Sequence, residues 1–94
     1  MSIHDITKND IEEILKLGFS PTKLEVINDS DAHRGHAEAL IQPKAGHFKV
    51  IMSSAAFKGL SPVKRHRLVY EKLAELMDSR IHALSLDLHD ENGK

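Results

Sequence analysis

Apolar residues recur at helical spacing in the first segment of the chain. Thr7 is a candidate N-cap, and Asp10 completes a partial capping box three residues later. Glycine is common at helix ends, so Gly18 is a natural stop. The pattern predicts a helix between Thr7 and Gly18, with these positions on its apolar stripe: Ile11, Ile14, Leu15 and Leu17.

Three shorter segments alternate apolar and polar positions, which is typical of strands with one buried face. Their apolar positions are Leu24 and Val26, then Phe48, Val50 and Met52, and finally Leu84, Leu86 and Leu88. By the same alternation, His47 begins the second strand on its polar face. His82 begins the third strand on the face of its leucines.

A second helix follows Ser61, which is a candidate N-cap with Pro62 at the first helical position. The helix is predicted over "PVKRHRLVYEKLAELM". One broad face would carry Val63, His66, Val69, Tyr70, Leu73, Leu76 and Met77. On this face His66 is expected to be a satisfied, semi-buried histidine.

The element order predicts a small α/β domain: helix, strand, strand, short turn or helix, helix, strand. Two helices on one face of a three-stranded mixed sheet would bury its apolar side. The first two strands can pair antiparallel, whereas the helix before the third strand suits a right-handed parallel crossover. The second and third strands would then begin at the same edge of the sheet.

That edge gathers histidines from three segments. His47 and His82 begin the two parallel strands, and the long connection after the first strand carries His33 and His36. Connections longer than roughly 12–15 residues in a compact domain are usually functional or disordered, so residues from about 29 to 46 are expected to form a flexible loop. "AEALIQ" within it is either a strand extension or a helical turn.

Composition narrows the function classes. The chain has 94 residues, a net charge of −1 and no cysteine, so it is expected to be one domain without disulfides or thiolate ligands of its own. The polar, acidic start has no apolar leader region, and no apolar run is long enough to span a membrane. These features favour a cytoplasmic protein. The sequence lacks the nucleophile elbow and the phosphate loop that would indicate an enzyme.

Each singled-out residue has an ordinary structural interpretation as well as a functional one. A histidine on an apolar strand face, such as His82, is usually packed and hydrogen-bonded. His33 and His36 are most simply solvated loop residues. His47 is expected to support the strand edge or the loop. The basic positions Lys64, Arg65 and Arg67 form either a solvated helix face or a binding surface for a partner or nucleic acid.

Several separated motifs together resemble the BolA family. They are "HFKV", the segment F-x-G-x-S-x-x-x-R-H-R-x-V-Y from Phe57 to Tyr70, and "HALSL" from His82 to Leu86, while "NDSDAHRGHAE" resembles the family's variable loop. The resemblance implies a fold like that of class II KH domains over residues 1–94, ending in a short tail at 90–94. It also implies a non-enzymatic partner of monothiol glutaredoxins of the CGFS type.

The resemblance further implies a 2Fe–2S cluster shared with the glutaredoxin and its bound glutathione. His82 matches the family's C-terminal ligand, and His33, with His36 as the less favoured choice, matches the loop ligand of a histidine subtype. The chain alone is expected to be a monomer. The alternative function is a DNA-binding transcriptional regulator that uses the basic helix region, although a G-x-x-G clamp is missing and aromatic content is only 4%.

Overall fold

The computed structural model describes residues 2–29 and 46–94, so His33, His36 and nearly all of the predicted loop lie outside the described residues. The elements follow the predicted order. They are α1 (Ile3–Phe19), β1 (Lys23–Asn28), β2 (Gly46–Ser53), a 3-10 turn (Ala55–Phe57), α2 (Pro62–Lys72), α3 (Ala74–Met77) and β3 (Ile81–His89).

Helix α1 begins at Ile3, because its N-cap lies five residues before the predicted cap Thr7. Ser2 is the N-cap: its hydroxyl accepts the N–H of Asp5 at 3.2 Å, and the Asp5 carboxylate accepts the N–H of Ser2. The prediction of Thr7 as the cap was therefore wrong. Thr7 lies inside the helix, where its buried hydroxyl donates to the carbonyl of Ile3 at 3.0 Å. A Ser-x-x-Asp pair outcompetes the Thr-x-x-Asp pair because it lets the helix gain a further turn.

Helix α2 begins as predicted, with the Ser61 hydroxyl accepting the N–H of Lys64 at 3.3 Å and Pro62 at the first position. Its predicted apolar face was too broad. Val69 is fully buried, whereas Val63 is 58% exposed and Tyr70 is 38% exposed. His66 is exposed as well, which corrects its expected semi-burial. Val69 and Leu73, four residues apart, lie on the buried stripe, whereas Val63, His66 and Tyr70 lie on the neighbouring exposed side of the helix.

The sheet confirms the predicted topology. Its strand order is β1-β2-β3, with β1 antiparallel to β2 and β2 parallel to β3. Alternate residues of β2 are buried, so one face of the sheet packs into the core and the other faces outward. The helices and the inward strand positions share one core: Ile11, Leu15, Phe19, Val26, Phe48, Val50, Met52, Phe57, Val69, Leu73, Leu76, Ile81 and Leu88.

Candidate functional site at the shared strand edge

The parallel pair β2 and β3 begins at one edge of the sheet, as the sequence predicted. Gly46 pairs with Ile81 there, and the N–H of Gly46 donates to the carbonyl of Arg80 at 3.0 Å. His47 and His82 are the next residues on their strands. The edge therefore carries one imidazole from each of two neighbouring strands.

A β-bulge changes which way His82 points. Gly46 pairs with Ile81, but His47 pairs with Ala83, so the register skips His82. Ile81 is buried at 3% exposure and Leu84 packs against the core, while His82 between them is exposed. The prediction that His82 shares a face with the leucines of β3 was therefore wrong. A bulge re-aims a side chain in this way, and bulges are frequent beside functional sites.

The bulge places His82 next to His47. The centroids of the two imidazole rings are 5.0 Å apart, and the ring planes are inclined by 55°. His47 is half-buried on the outward face of β2. Sequence reasoning placed both histidines at this edge but treated His47 as a support, because plain alternation put the two rings on opposite faces.

A cleft of about 240 Å³ opens beside His47. The N–H of Asp29 donates to the carbonyl of His47 at 2.8 Å and ties the end of β1 to the start of β2. The cleft thus combines an acid and an imidazole with apolar groups. Its lining consists of Asp29, His47, Phe48, Ala83, Leu84 and Ser85.

Arg80 anchors this edge to helix α1, a role that sequence reasoning missed. Its Nε donates to the buried Thr7 hydroxyl at 2.7 Å, and its Nη2 lies 2.7 Å from a carboxylate oxygen of Asp10. No sequence motif predicts this contact, because the groups are about seventy positions apart in the chain and meet only after folding. The contact fixes the residue that leads directly into the bulge.

Donor atoms at this edge are limited. Within residues 2–29 and 46–94, no group of three or more histidine, aspartate, glutamate or cysteine side chains is arranged to hold a metal ion. The described part of the edge therefore offers a pair of imidazoles, and a complete coordination shell needs donors from elsewhere. The predicted convergence with His33 and His36 lies outside the described residues.

The basic residues of α2 differ in availability. Arg65 is only half-exposed, and its guanidinium donates to the carbonyls of Leu60 and Leu88 at 3.0 and 3.2 Å and to that of Lys94. These internal contacts give Arg65 a structural role, and its place in a binding surface stays a prediction. Lys64 and Arg67 are exposed.

Asp90 organises the segment beside Arg65. It is buried, and its Oδ1 accepts the N–H groups of Lys94 and Asn92 at 2.9 and 2.8 Å. These hydrogen bonds, chiefly the one from Lys94, lower the pKa of the Asp90 carboxyl below its ordinary value of 3.8, and the charges of Arg65 and Lys58 act in the same direction against the opposing effect of desolvation. The acid is thus held ionised as part of the fold.

The exposed side of α2 forms a second concave surface, about 470 Å³ in volume. It is mainly apolar, and it includes the exposed side chains of Val63 and Tyr70. Its lining consists of Pro62, Val63, His66, Arg67, Tyr70 and Glu71. His66 therefore belongs to this surface and lies on a different element from the histidine pair.

Comparisons with known proteins agree on one family. The family described as "BolA-like protein" matches residues 15–92. The "DNA-binding transcriptional regulator BolA" of Vibrio cholerae is 43% identical over 81% of this chain and 67% of its own length. Human "BolA-like protein 1" is 40% identical over 77% of this chain, which spans about half (49%) of that relative.

A solved structure supports the same assignment. The BolA domain of SufE1 from Arabidopsis thaliana superposes with a TM-score of 0.79 at 36% identity, covering 92% of this chain and 93% of that domain. The likeness includes the mixed three-stranded sheet with its helices. In the part of the chain that the structure describes, none of the helices is both long and apolar enough to cross a membrane.

Proposed function

The chain belongs to the BolA family, and from that premise we propose that it is a non-enzymatic adaptor that pairs with a monothiol glutaredoxin of the CGFS type. The two proteins would share a 2Fe–2S cluster as cargo, in iron–sulfur cluster trafficking or iron regulation. His82 and a loop histidine, His33 ahead of His36, would be the ligands from this chain. The observation that carries the proposal is the exposed imidazole of His82 on a β-bulge.

The residues at the edge fit one side of such a cluster. The chain has no cysteine, so it can offer imidazole but no thiolate. Two imidazoles on one iron are known chemistry in Rieske centres. The thiolates for the other iron would come from the glutaredoxin cysteine and from glutathione. A cluster divided in this way would be held only while the two proteins are together.

The remaining residues of the edge have a positioning role in this proposal. Arg80 fixes the start of β3 through Thr7 and Asp10. The bulge keeps His82 on the outward face, where a partner protein can approach without displacing a helix. The chain would therefore present its ligand on a rigid strand, which suits reversible sharing.

The test is to mix the chain with a CGFS glutaredoxin, glutathione, iron and sulfide and to record visible absorption and circular dichroism. We expect a spectrum distinct from that of the glutaredoxin alone, and we expect His82→Ala to abolish it. His89→Ala is the matched control, because His89 lies on the same strand at its opposite end. His33→Ala and His36→Ala identify the loop ligand.

Two results would overturn the proposal. One is a glutaredoxin spectrum that wild-type chain leaves unchanged. The other is a mixed spectrum that survives His82→Ala, since cluster sharing through this edge requires that imidazole. Circular dichroism in the far ultraviolet checks that each variant is folded.

DNA binding is the second candidate function. The Vibrio cholerae relative is named a DNA-binding transcriptional regulator, and Lys64 and Arg67 are exposed cations on α2. In this proposal they would contact phosphates, while Arg65 would hold the helix in place.

Fluorescence anisotropy with a labelled duplex tests this alternative. Affinity should fall with rising salt, and the slope should shrink by about one unit for each phosphate contact removed by Lys64→Ala or Arg67→Ala. A DNA affinity and salt dependence that neither substitution changes would refute a role for α2. His82→Ala should leave DNA binding intact, so the same variant separates the two functions.

A further inference from the structure

We propose that helix α2 closes the free edge of the sheet, where Tyr70 and Arg65 keep a second copy of this chain from pairing with β3. This goes beyond the proposed function, which uses the outward face at the start of the strand and assigns no role to its free edge. The inference rests on two hydrogen bonds that run from side chains of α2 to the main chain of β3.

Strand β3 has a neighbouring strand on one side only. In the described part of the chain the strand order is β1-β2-β3, so β3 pairs with β2 alone. The main-chain groups of successive residues in a strand point to opposite edges. The carbonyl of His89 points toward β2, because it accepts the N–H of Ser54, which follows that strand. The N–H and C=O groups of Leu84, Leu86 and Leu88 therefore point to the free edge.

Side chains of α2 occupy two of these three carbonyls. The Tyr70 hydroxyl donates to the carbonyl of Leu84 at 3.3 Å, and Nη1 of Arg65 donates to the carbonyl of Leu88 at 3.2 Å. The earlier residue of the helix meets the later residue of the strand, so α2 runs along the edge in the opposite direction to β3. A strand that added to this edge would need both carbonyls and the space that the two side chains fill.

The sequence of β3 does little to protect this edge by itself. Edge strands are commonly shielded by lysine, by proline or by a very short length. Strand β3 is nine residues long and reads IHALSLDLH, without lysine or proline and with Asp87 as its only acid. Its register break lies at its start, opposite Gly46 and His47, rather than along the segment that α2 covers. Protection of this segment therefore falls to α2, in agreement with the general use of helices to cover exposed edges.

A second copy of the chain is the partner that the uncovered edge would fit. Both copies would carry the same row of donors and acceptors, and a twofold axis beside β3 would set the two edges antiparallel. Each copy would then donate and accept main-chain hydrogen bonds, and the two three-stranded sheets would join into one continuous sheet. Tyr70 and Arg65 hold the carbonyls that this pairing requires.

The test is to remove the two side chains and to measure self-association by sedimentation over a range of protein concentrations. The variants are Tyr70→Ala, Arg65→Ala and the double substitution. We expect the double variant to dimerise at a concentration at least about tenfold lower than wild type, because two carbonyls on each copy become available for main-chain hydrogen bonds. Tyr70→Ala alone should shift the dimerisation in the same direction by a smaller factor.

Amide hydrogen exchange, measured residue by residue by NMR, shows where the copies meet. In the wild-type chain, the N–H groups of Leu86 and Leu88 should exchange faster than those of Ser85 and Asp87, which point toward β2. In the associated double variant, exchange at Leu84, Leu86 and Leu88 should slow by at least about tenfold, because their N–H groups become paired. Exchange at Ser85 and Asp87 should stay as it is in wild type.

Arg67→Ala and Val63→Ala are the matched controls, because both residues lie on the exposed side of the same helix. They should leave self-association unchanged. If far-ultraviolet circular dichroism shows that Arg65→Ala is unfolded, the comparison of Tyr70→Ala with Val63→Ala carries the test, since Tyr70 is 38% exposed. The proposal fails if the folded variants dimerise no more readily than wild type or the controls. It also fails if they associate without slower exchange in β3, or if wild type already pairs through β3.

Discussion

Replacing Arg80 by methionine should destabilise the fold and loosen the edge that carries the histidine pair. The guanidinium bonds both the buried hydroxyl of Thr7 and the carboxylate of Asp10, each at 2.7 Å. Methionine keeps an apolar stem of similar length but removes every donor. The change therefore isolates the polar contacts from the packing.

The magnitude follows from the two partners. Hydrogen bonds to charged groups contribute roughly 1.5–3 kcal/mol, and the bond to the fully buried Thr7 belongs to this class. The Asp10 side chain is 41% exposed, so its ion pair should add only about 0–1 kcal/mol. Arg80→Met should therefore lower the free energy of unfolding by about 2–3 kcal/mol, and Asp10→Asn by less than about 1 kcal/mol.

Urea unfolding at 25 °C, run as a double-mutant cycle, measures the central contact. Thr7→Val removes the acceptor at nearly constant shape, and its coupling to Arg80→Met should be about 1–2 kcal/mol. The matched control is the Lys8–Glu12 pair on the same helix, which is 2.6 Å apart and partly exposed. Its cycle should give about 0.3–0.5 kcal/mol. A Thr7–Arg80 coupling no larger than the control would refute the reasoning.

Three further predictions concern the same fold. Ser54→Ala should cost about 1–3 kcal/mol in urea unfolding, because the buried hydroxyl donates to the carbonyl of Phe19 at 2.6 Å and the carbonyl would lose its partner; an unchanged midpoint would contradict this. Since folding lowers the pKa of Asp90, its contribution to stability should be full above the ordinary value of 3.8 and be lost as pH falls through the lowered pKa. Between about pH 5 and pH 2, the melting temperature should fall less steeply with falling pH for Asp90→Asn than for wild type. Parallel curves of melting temperature against pH would count against this role of Asp90. Val69→Ala should lower the free energy of unfolding by about 2 kcal/mol because Val69 is fully buried, whereas Val63→Ala should lower it by less than about 0.5 kcal/mol. Equal losses in urea unfolding would mean that Val63 belongs to the buried face of α2 after all.

Local patterns predicted the elements and the topology because each strand alternates cleanly and the cap at Ser61 is unambiguous. The predicted start of α1 was wrong because two cap patterns lie five residues apart, at Ser2 and at Thr7. Local pattern alone does not rank Ser2 against Thr7. Thr7 is buried and accepts a hydrogen bond from Arg80, a contact that only the folded chain makes.

The histidine pair was predicted only in part. Parallel pairing correctly brought His47 and His82 to one edge, since that follows from the crossover. Alternation then assigned His82 to the wrong face, because a bulge adds one residue without any marker such as glycine or proline at its position. The exposure of His66 and the internal contacts of Arg65 were missed because helical spacing groups residues on one face but does not show which face meets the core.

The parallel pairing of β2 and β3 also has a consequence for the lifetime of the protein. The two strands are separated along the chain by α2 and α3 and pair only in the folded protein, so the unfolded chain does not hold the imidazole pair together. Any ligand of the pair would therefore bind the native state alone. At a concentration 100 times its dissociation constant, it would raise the free energy of unfolding by about 2.7 kcal/mol. Proteolysis, which acts on opened chains, would then be slower when the ligand is abundant, and the cellular amount of the protein would follow the supply of what it binds.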